Sequence, residues 1–328
     1  MSPSTPPPPG FYVPAVLFFT EDEELDIPAI KAHVLRLAQG HVTGILVQGS
    51  NGEAQHISHE ERKITIQTTR QTLDENGFQN VLVIAGTGGQ STRETKKLNV
   101  DAKEAGASHA LILTPSTWKP LLTKESITKF YREVRLLLLS LFFISPIVAD
   151  ASSIPIMVYN FAVVTAGLDL DSDTIATLGE HPNIVGTKLS CGHLGKLTRL
   201  CTTPSLPPSQ FATFIGRSDS FLPAVALKSA GGIMALVNVA PKAHRRLLDL
   251  WEVGRYDEAR DVQRLLSHGD SIAAKCGGIG FIKALVSKEF GYGNGTVRGP
   301  LVASSVDKLQ GRDKELMDEL IALEKSLP

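Results

Sequence analysis

Cysteine is scarce: Cys191, Cys201 and Cys276 are three in 328 residues, far apart and odd in number, which excludes a disulfide framework. They point to a reducing compartment, the cytoplasm or else the mitochondrion. An excess of charge is lacking too. With 33 Lys and Arg interspersed among 34 Asp and Glu, the chain carries no electrostatic footprint for nucleic acid or an anionic membrane. Long apolar runs are missing as well: the longest uncharged stretch, 136–149, falls short of the ~18–20 residues of a membrane span and contains Pro146. Residues 1–9 are rich in Pro, Ser and Thr, with neither the basic nor the apolar region of a leader, and read as a disordered arm. No expected strand is followed by G-x-G-x-x-G, because Ser91 stands where the last glycine after Gly86 and Gly88 would be. His56 and His59 flank a helix start, and Cys191-Gly192-His193 has no further ligands at metal-site spacing, so no metal is expected. What remains is a chain built for a small-molecule partner.

The 42% hydrophobic content, enough for a large core, is arranged in a repeat. Apolar, mostly uninterrupted runs at 10–19, 42–47, 81–85, 110–113, 154–159, 184–188, 211–215 and 232–236 read as strands buried on both faces. Helical patterns separate them. Asp26-Ile27-Pro28 opens one whose apolar face carries Ile30, Val34, Leu35 and Leu37. Ser58-His59-Glu60-Glu61 and Ser91-Thr92-Arg93-Glu94 are capping boxes for the next two, Asp171 opens another, and 221–230 forms a helix between the last two strands. Eight strands alternating with helices predict an α/β fold, a (β/α)8 TIM barrel at 10–240. An open doubly wound sheet is the second choice. A C-terminal helical extension, 241–328, follows, with helices at 262–274 and 304–327 and breaks at Gly277 and at the glycines of 291–299.

One block does not fit the repeat. Residues 135–148 contain Leu136-Leu137-Leu138-Leu139 and Phe142-Phe143-Ile144 and no acidic residue. Without them, Glu133-Val134 joins Ala149-Asp150 in a connection of ordinary length, so the block reads as an apolar insertion, such as a translated intron.

In a parallel barrel the C-terminal strand ends share one mouth, so polar groups there converge whatever their separation in sequence. The candidates are Ser50 and Asn51, Thr114 to Thr117, Tyr159, Lys188, Gly216-Arg217-Ser218-Asp219 and Gly231-Gly232-Ile233. An ammonium at the end of an apolar strand must be paired, reach solvent along its stem, or lose its proton. In the last case Lys188 becomes a nucleophile toward carbonyls. The phenol of Tyr159 can move protons on and off the carbinolamine that such an attack forms, or it is a packed aromatic at the barrel rim. Ser50 and Asn51 sit in a glycine-bracketed turn whose backbone N–H groups can hold a carboxylate, or which is an ordinary tight turn. Arg217 and Asp219 either touch a substrate or form a surface ion pair.

Four motifs in register carry a resemblance: Gly49-Ser50-Asn51-Gly52-Glu53, Tyr159-Asn160, Ile184-Val185-Gly186-Thr187-Lys188 and Ser229-Ala230-Gly231-Gly232-Ile233. In order and spacing they resemble the dihydrodipicolinate synthase/N-acetylneuraminate lyase family of class I aldolases, from about residue 10 to the C-terminus. The resemblance implies a barrel, usually a homotetramer, otherwise a homodimer, in which Lys188 forms an imine with C2 of pyruvate or a related 2-oxo acid, with no cofactor besides that imine. It also implies that Tyr159 shuttles protons with Ser50 as relay partner, and that Ser50, Asn51 and the Ile233 backbone hold the acid. The Ser-Asn turn, Leu168-Asp169-Leu170-Asp171-Ser172-Asp173 and Lys188-Leu189-Ser190-Cys191-Gly192 look most like fungal 2-keto-3-deoxy-sugar-acid aldolases and 4-hydroxy-2-oxoglutarate aldolases. Such enzymes release pyruvate and an aldehyde. Where many relatives carry a second relay tyrosine, this chain has Ser116-Thr117-Trp118, which leaves Thr117 as the relay candidate. The loop Phe161-Ala162-Val163-Val164 lacks the usual proline and any arginine. Two other readings stand beside the aldolase: a synthase condensing pyruvate with aspartate semialdehyde, and a catalytically silent barrel serving as a binding or scaffold protein.

Overall fold

The computed structural model describes residues 4–134 and 154–328. The expected insertion at 135–148 lies outside the described residues. The eight strands are β1 (Gly10–Pro14), β2 (Gly44–Val47), β3 (Leu82–Gly86), β4 (His109–Leu113), β5 (Ile156–Asn160), β6 (Ile184–Leu189), β7 (Ala212–Ile215) and β8 (Gly231–Ile233). All pair in parallel, and β8 returns to β1 through Gly10 with Gly231 and Tyr12 with Ile233, so the sheet is a closed barrel and not the open alternative. Side-chain alternation builds two cores. Tyr12, Leu46, Ile84, Leu111, Met157, Val185, Phe214 and Ile233 fill the lumen, while Phe11, Ile45, Val47, Val83 and Ile112 face the surrounding helices.

The helices are α1 (Ile27–Gln39), α2 (His59–Glu75), α3 (Thr92–Glu104), α4 (Lys124–Val134), α5 (Ser172–Gly179), α6 (Leu194–Cys201), α7 (Phe221–Ala226) and α8 (Pro241–Glu252). Three more follow, α9 (Tyr256–Lys275), α10 (Ile279–Phe290) and α11 (Gly311–Ser326). Asp26 caps α1 by accepting from the Ala29 N–H, and both halves of the Ser58/Glu61 capping box form at α2. At α3 only half of the expected box is present. Ser91 accepts from the Glu94 N–H, but the Glu94 carboxylate goes to Nε2 of His59 at 2.6 Å, a charged-group contact that outcompetes its own helix end.

Several expected boundaries move for identifiable reasons. The first strand ends at Pro14, not 19, because the Asn238 side chain takes over the backbone beyond it, accepting from the Val16 N–H and donating to the Pro14 carbonyl. The same side chain donates to the Ala235 carbonyl, so the chain past Ile233 turns instead of extending β8 to 236. α7 stops at Ala226, with Lys228 in the left-handed region at φ 60°, short of the expected 230. α8 packs on the barrel as the helix of the eighth unit, so that unit closes past residue 240. The segment before β1, expected as a disordered arm, lies against the N-terminal end of the barrel from Ser4 onward. Ser4 Oγ donates to Asn183, Thr5 and Pro8 accept from His109 and Tyr12, and Pro7 is buried. Those polar groups find partners that composition alone does not reveal.

Candidate active site

The register between β5 and β6 places the central pair. Ile156 pairs with Ile184, but Met157 pairs with Gly186, so β6 carries one extra residue at this point. Without it Thr187 would stand opposite Tyr159; with it Lys188 does. Gly186 is required beside it, since a Cβ there would lie 2.5 Å from the Ala212 carbonyl oxygen on β7. Lys188 is 3% exposed and Tyr159 5%, and the lysine Nζ lies 4.4 Å from the centre of the phenol ring. Among the described residues Lys188 has no carboxylate within ion-pairing distance. Its amine borders a cavity of about 160 Å³ lined by Ser50, Asn51, Tyr159, Ser190, Arg217 and Asp270, among others. Phe161 stacks on the Tyr159 ring at 5.7 Å and the Ser190 hydroxyl lies 3.5 Å from the phenol oxygen.

The turn Ser50–Gly52 follows β2, and Glu53 closes it in a left-handed conformation, φ 52°. That carboxylate is fully buried. It accepts from Nζ of Lys283 on α10 and from the Arg298 backbone N–H at 2.9 Å, and Lys283 also donates to the Thr296 carbonyl. Burial pushes the Lys283 amine below its usual pKa and the Glu53 charge opposes that shift. The turn that faces the cavity is therefore locked from behind by the C-terminal extension.

A larger cavity of about 400 Å³ adjoins the first and shares Ser50 and Tyr159 with it. Thr117 lines it. Its hydroxyl donates to Gln90 Oε1 at 2.9 Å, which also receives the Ser116 and Thr117 N–H groups, so the structure joins Thr117 to Gln90 and not to Tyr159. Ile233 is fully buried in the barrel lumen and borders neither cavity, where Pro14 and Ala235 stand at the corresponding wall. The structure thus brings Lys188, Tyr159, Ser50 and Asn51 around one cavity, puts Thr117 with Ser50 and Tyr159 around the other, and leaves the Ile233 side chain out of both.

Residues 8–318 match the model of the dihydrodipicolinate synthetase family. The chain belongs to that family. It is 42% identical over 319 residues, 97% of each chain, to a protein of Emericella nidulans described as a mitochondrial 4-hydroxy-2-oxoglutarate aldolase. It is 38% identical over 348 aligned positions, 99% of each chain, to the L-threo-3-deoxy-hexylosonate aldolase of Aspergillus niger. In structure it is similar to a dihydrodipicolinate synthase family protein from Coccidioides immitis, with TM-score 0.82 and 31% identity, covering 98% of this chain and 99% of that one.

Within this dihydrodipicolinate synthetase-family barrel, three residues around the site escaped the reading of the sequence. Ser190 lies two residues beyond Lys188 on the same face, a period-two signal that was present. Lys283 hid in an apolar helix as a charge with no visible partner. Asp270 interrupts the apolar stripe Leu266, Gly269 and Ala273 of α9, a departure from helical patterning that marks a half-buried carboxylate. Burial and the neighbouring Asp219 raise its pKa from 3.8 to about 6, against the lowering pull of Arg217 and the N–H groups of Ser218 and Asp219. The Arg217/Asp219 pair forms as the surface alternative describes, yet Arg217 also borders the Lys188 cavity.

Proposed function

We propose that this chain is a Schiff-base-forming class I aldolase that cleaves a 2-oxo acid, either a 2-keto-3-deoxy sugar acid or 4-hydroxy-2-oxoglutarate, to pyruvate and an aldehyde. The observation that carries this is Lys188, buried, without a carboxylate partner among the described residues, and level with the Tyr159 phenol in a cavity that also takes in the Ser50 turn.

In this reading the substrate carboxylate sits on the N–H groups of the Ser50–Asn51 turn. The neutral amine of Lys188 attacks C2, and Tyr159 protonates the carbinolamine oxygen so that water leaves and the imine forms. Loss of the C4 hydroxyl proton breaks the C3–C4 bond, its electron pair moves into the imine, and the aldehyde departs. The resulting enamine takes a proton at C3, and water at C2 then releases pyruvate and the free lysine. Tyr159 is the shuttle for these protons, with Ser190 and Ser50 as its hydroxyl neighbours. Thr117, held by Gln90, acts here through the wall of the larger cavity. The imine itself is the electron sink, so the proposal includes no metal and no cofactor.

The synthase alternative needs a group for the carboxylate of aspartate semialdehyde. The loop after β5 offers Phe161, Ala162 and Val163, the last 83% exposed, and no cation. A charge-assisted contact of that kind is worth roughly 1.5–3 kcal/mol, about ten- to a hundred-fold in kcat/KM. Pyruvate release coupled to lactate dehydrogenase tests the choice: release from either 2-oxo acid is expected, with poor condensation of aspartate semialdehyde. Efficient condensation without release would establish the synthase, and neither activity would leave the scaffold reading.

No helix among the described residues is long and apolar enough to cross a membrane. The three cysteines are free. That suits a reducing compartment, and the mitochondrial name of the Emericella nidulans relative favours the mitochondrion over the cytoplasm. Trp118, Leu121 and Val163 stand exposed on the loops after β4 and β5, an apolar surface that supports the homotetramer or homodimer expected from the family. Sedimentation of the intact chain as a monomer at micromolar concentration would contradict that assembly.

A further inference from the structure

The Lys188 cavity has two unlike ends. On the β2 side is the Ser50–Asn51 turn, which in the reading above takes the C1 carboxylate. The wall away from it is built by the loop after β7 and by α9, and contributes Gly216, Arg217, Asp270 and Ala274. With C1 on the turn and C2 at Lys188, the chain from C4 onward runs toward this second wall.

We propose that Asp270, with the Arg217/Asp219 pair beside it, forms the subsite for the part of the substrate beyond C4 and selects a hydroxylated, uncharged chain over one ending in a second carboxylate. The proposal rests on the aldolase reading and chooses between its two substrate classes. Arg217 is the cation at this wall, and its Nε and Nη2 both donate to Asp219 Oδ2, at 3.0 and 2.6 Å. Its fork is committed. Asp219 is further held by the Ser220 hydroxyl at 2.7 Å. Adding Asp270 gives two carboxylates against one guanidinium, a net negative wall. Sugar hydroxyls donate to carboxylates, whereas the carboxylate left on the glyoxylate half of 4-hydroxy-2-oxoglutarate would meet like charge in a partly desolvated site.

The charged groups bearing on Asp270 are Asp219 and Arg217, both from the loop after β7, with the N–H groups of Ser218 and Asp219 beside them and Lys188 across the cavity. Its carboxyl titrates at about 6, so acidification turns this acceptor into a donor.

The test compares kcat/KM for a 2-keto-3-deoxy-hexonate and for 4-hydroxy-2-oxoglutarate, using the intact chain and Asp270→Asn, by coupled pyruvate release. The parent is expected to favour the sugar acid by about tenfold or more near neutral pH, and Asp270→Asn to narrow that ratio by about tenfold, mainly through the KM of the dicarboxylate. A parent that prefers the dicarboxylate, or a ratio unmoved by Asp270→Asn, overturns the proposal. If the variant does not fold, the parent alone decides: its ratio should shift toward the dicarboxylate as pH falls through about 6, and a flat ratio overturns the proposal. Borohydride trapping of pyruvate on the same preparations separates the two levels. Trapping at Lys188 with an unmoved ratio removes the subsite alone, and absence of trapping removes the aldolase reading together with it.

Discussion

Asp270 costs the fold stability, and the cost has a definite pH signature. Its carboxyl pKa is raised from 3.8 to about 6, by burial first and Asp219 second, so between those values the folded chain keeps a proton that the unfolded chain has lost. The stability from that proton is fully present below about pH 3.8 and lost as pH rises through about 6. Asp270→Asn is expected to be more stable than the parent above pH 6, by on the order of 2–3 kcal/mol, and to converge with it near pH 4. Urea unfolding at both pH values measures this, and a variant less stable than the parent at pH 7.5 would contradict it. A residue that weakens the fold while lining the cavity is what a functional site retains. At this scale the sequence was legible where chemistry sits at a strand end: Lys188, Tyr159, Ser50 and Asn51 follow from type and position. Asp270 and Lys283 come from helices beyond the barrel, and no local pattern says which wall of the mouth they reach.

Among the elements, β6 and the turn after β2 decide the geometry, and each depends on something local propensity does not encode. The eight strands were readable as apolar runs, but the extra residue at Val185–Gly186 that swings Lys188 level with Tyr159 is a property of pairing with β5. The ends of β1 and β8 are likewise set by Asn238, which lies just past β8 but far from β1 in sequence. The Ser50–Gly52 turn is held by the buried Glu53–Lys283 pair, which ties it to α10. Removing one member of such a pair strands the other charge, at about 3–5 kcal/mol. Lys283→Met is expected to lose that much stability and to raise the KM for the 2-oxo acid more than it lowers kcat. Restoring the turn with the paired change Glu53→Gln and Lys283→Met should recover most of the stability. Unfolding and steady-state kinetics on both variants check this, and an unchanged KM in Lys283→Met would show that the turn holds its shape without α10.

As a whole molecule, the barrel and its extension work as one body around the mouth. α9 brings Asp270 to the cavity, α10 brings Lys283 to the turn, and the segment before α11 brings Arg298, whose guanidinium reaches Glu61 and the carbonyls of Glu23 and His56. The alternation of strands and helices was enough to predict a closed barrel, since eight two-sided apolar strands leave no edge to expose. That the extension would supply part of the site was not legible, because its helices look like ordinary amphipathic packing until the fold brings them over the mouth. The central claim is that Lys188 forms the imine, and reduction by borohydride in the presence of pyruvate reads it directly. A carboxyethyl adduct on the peptide containing Lys188, absent in Lys188→Arg, is the predicted result; an adduct on another lysine, or none in the folded parent, would contradict it.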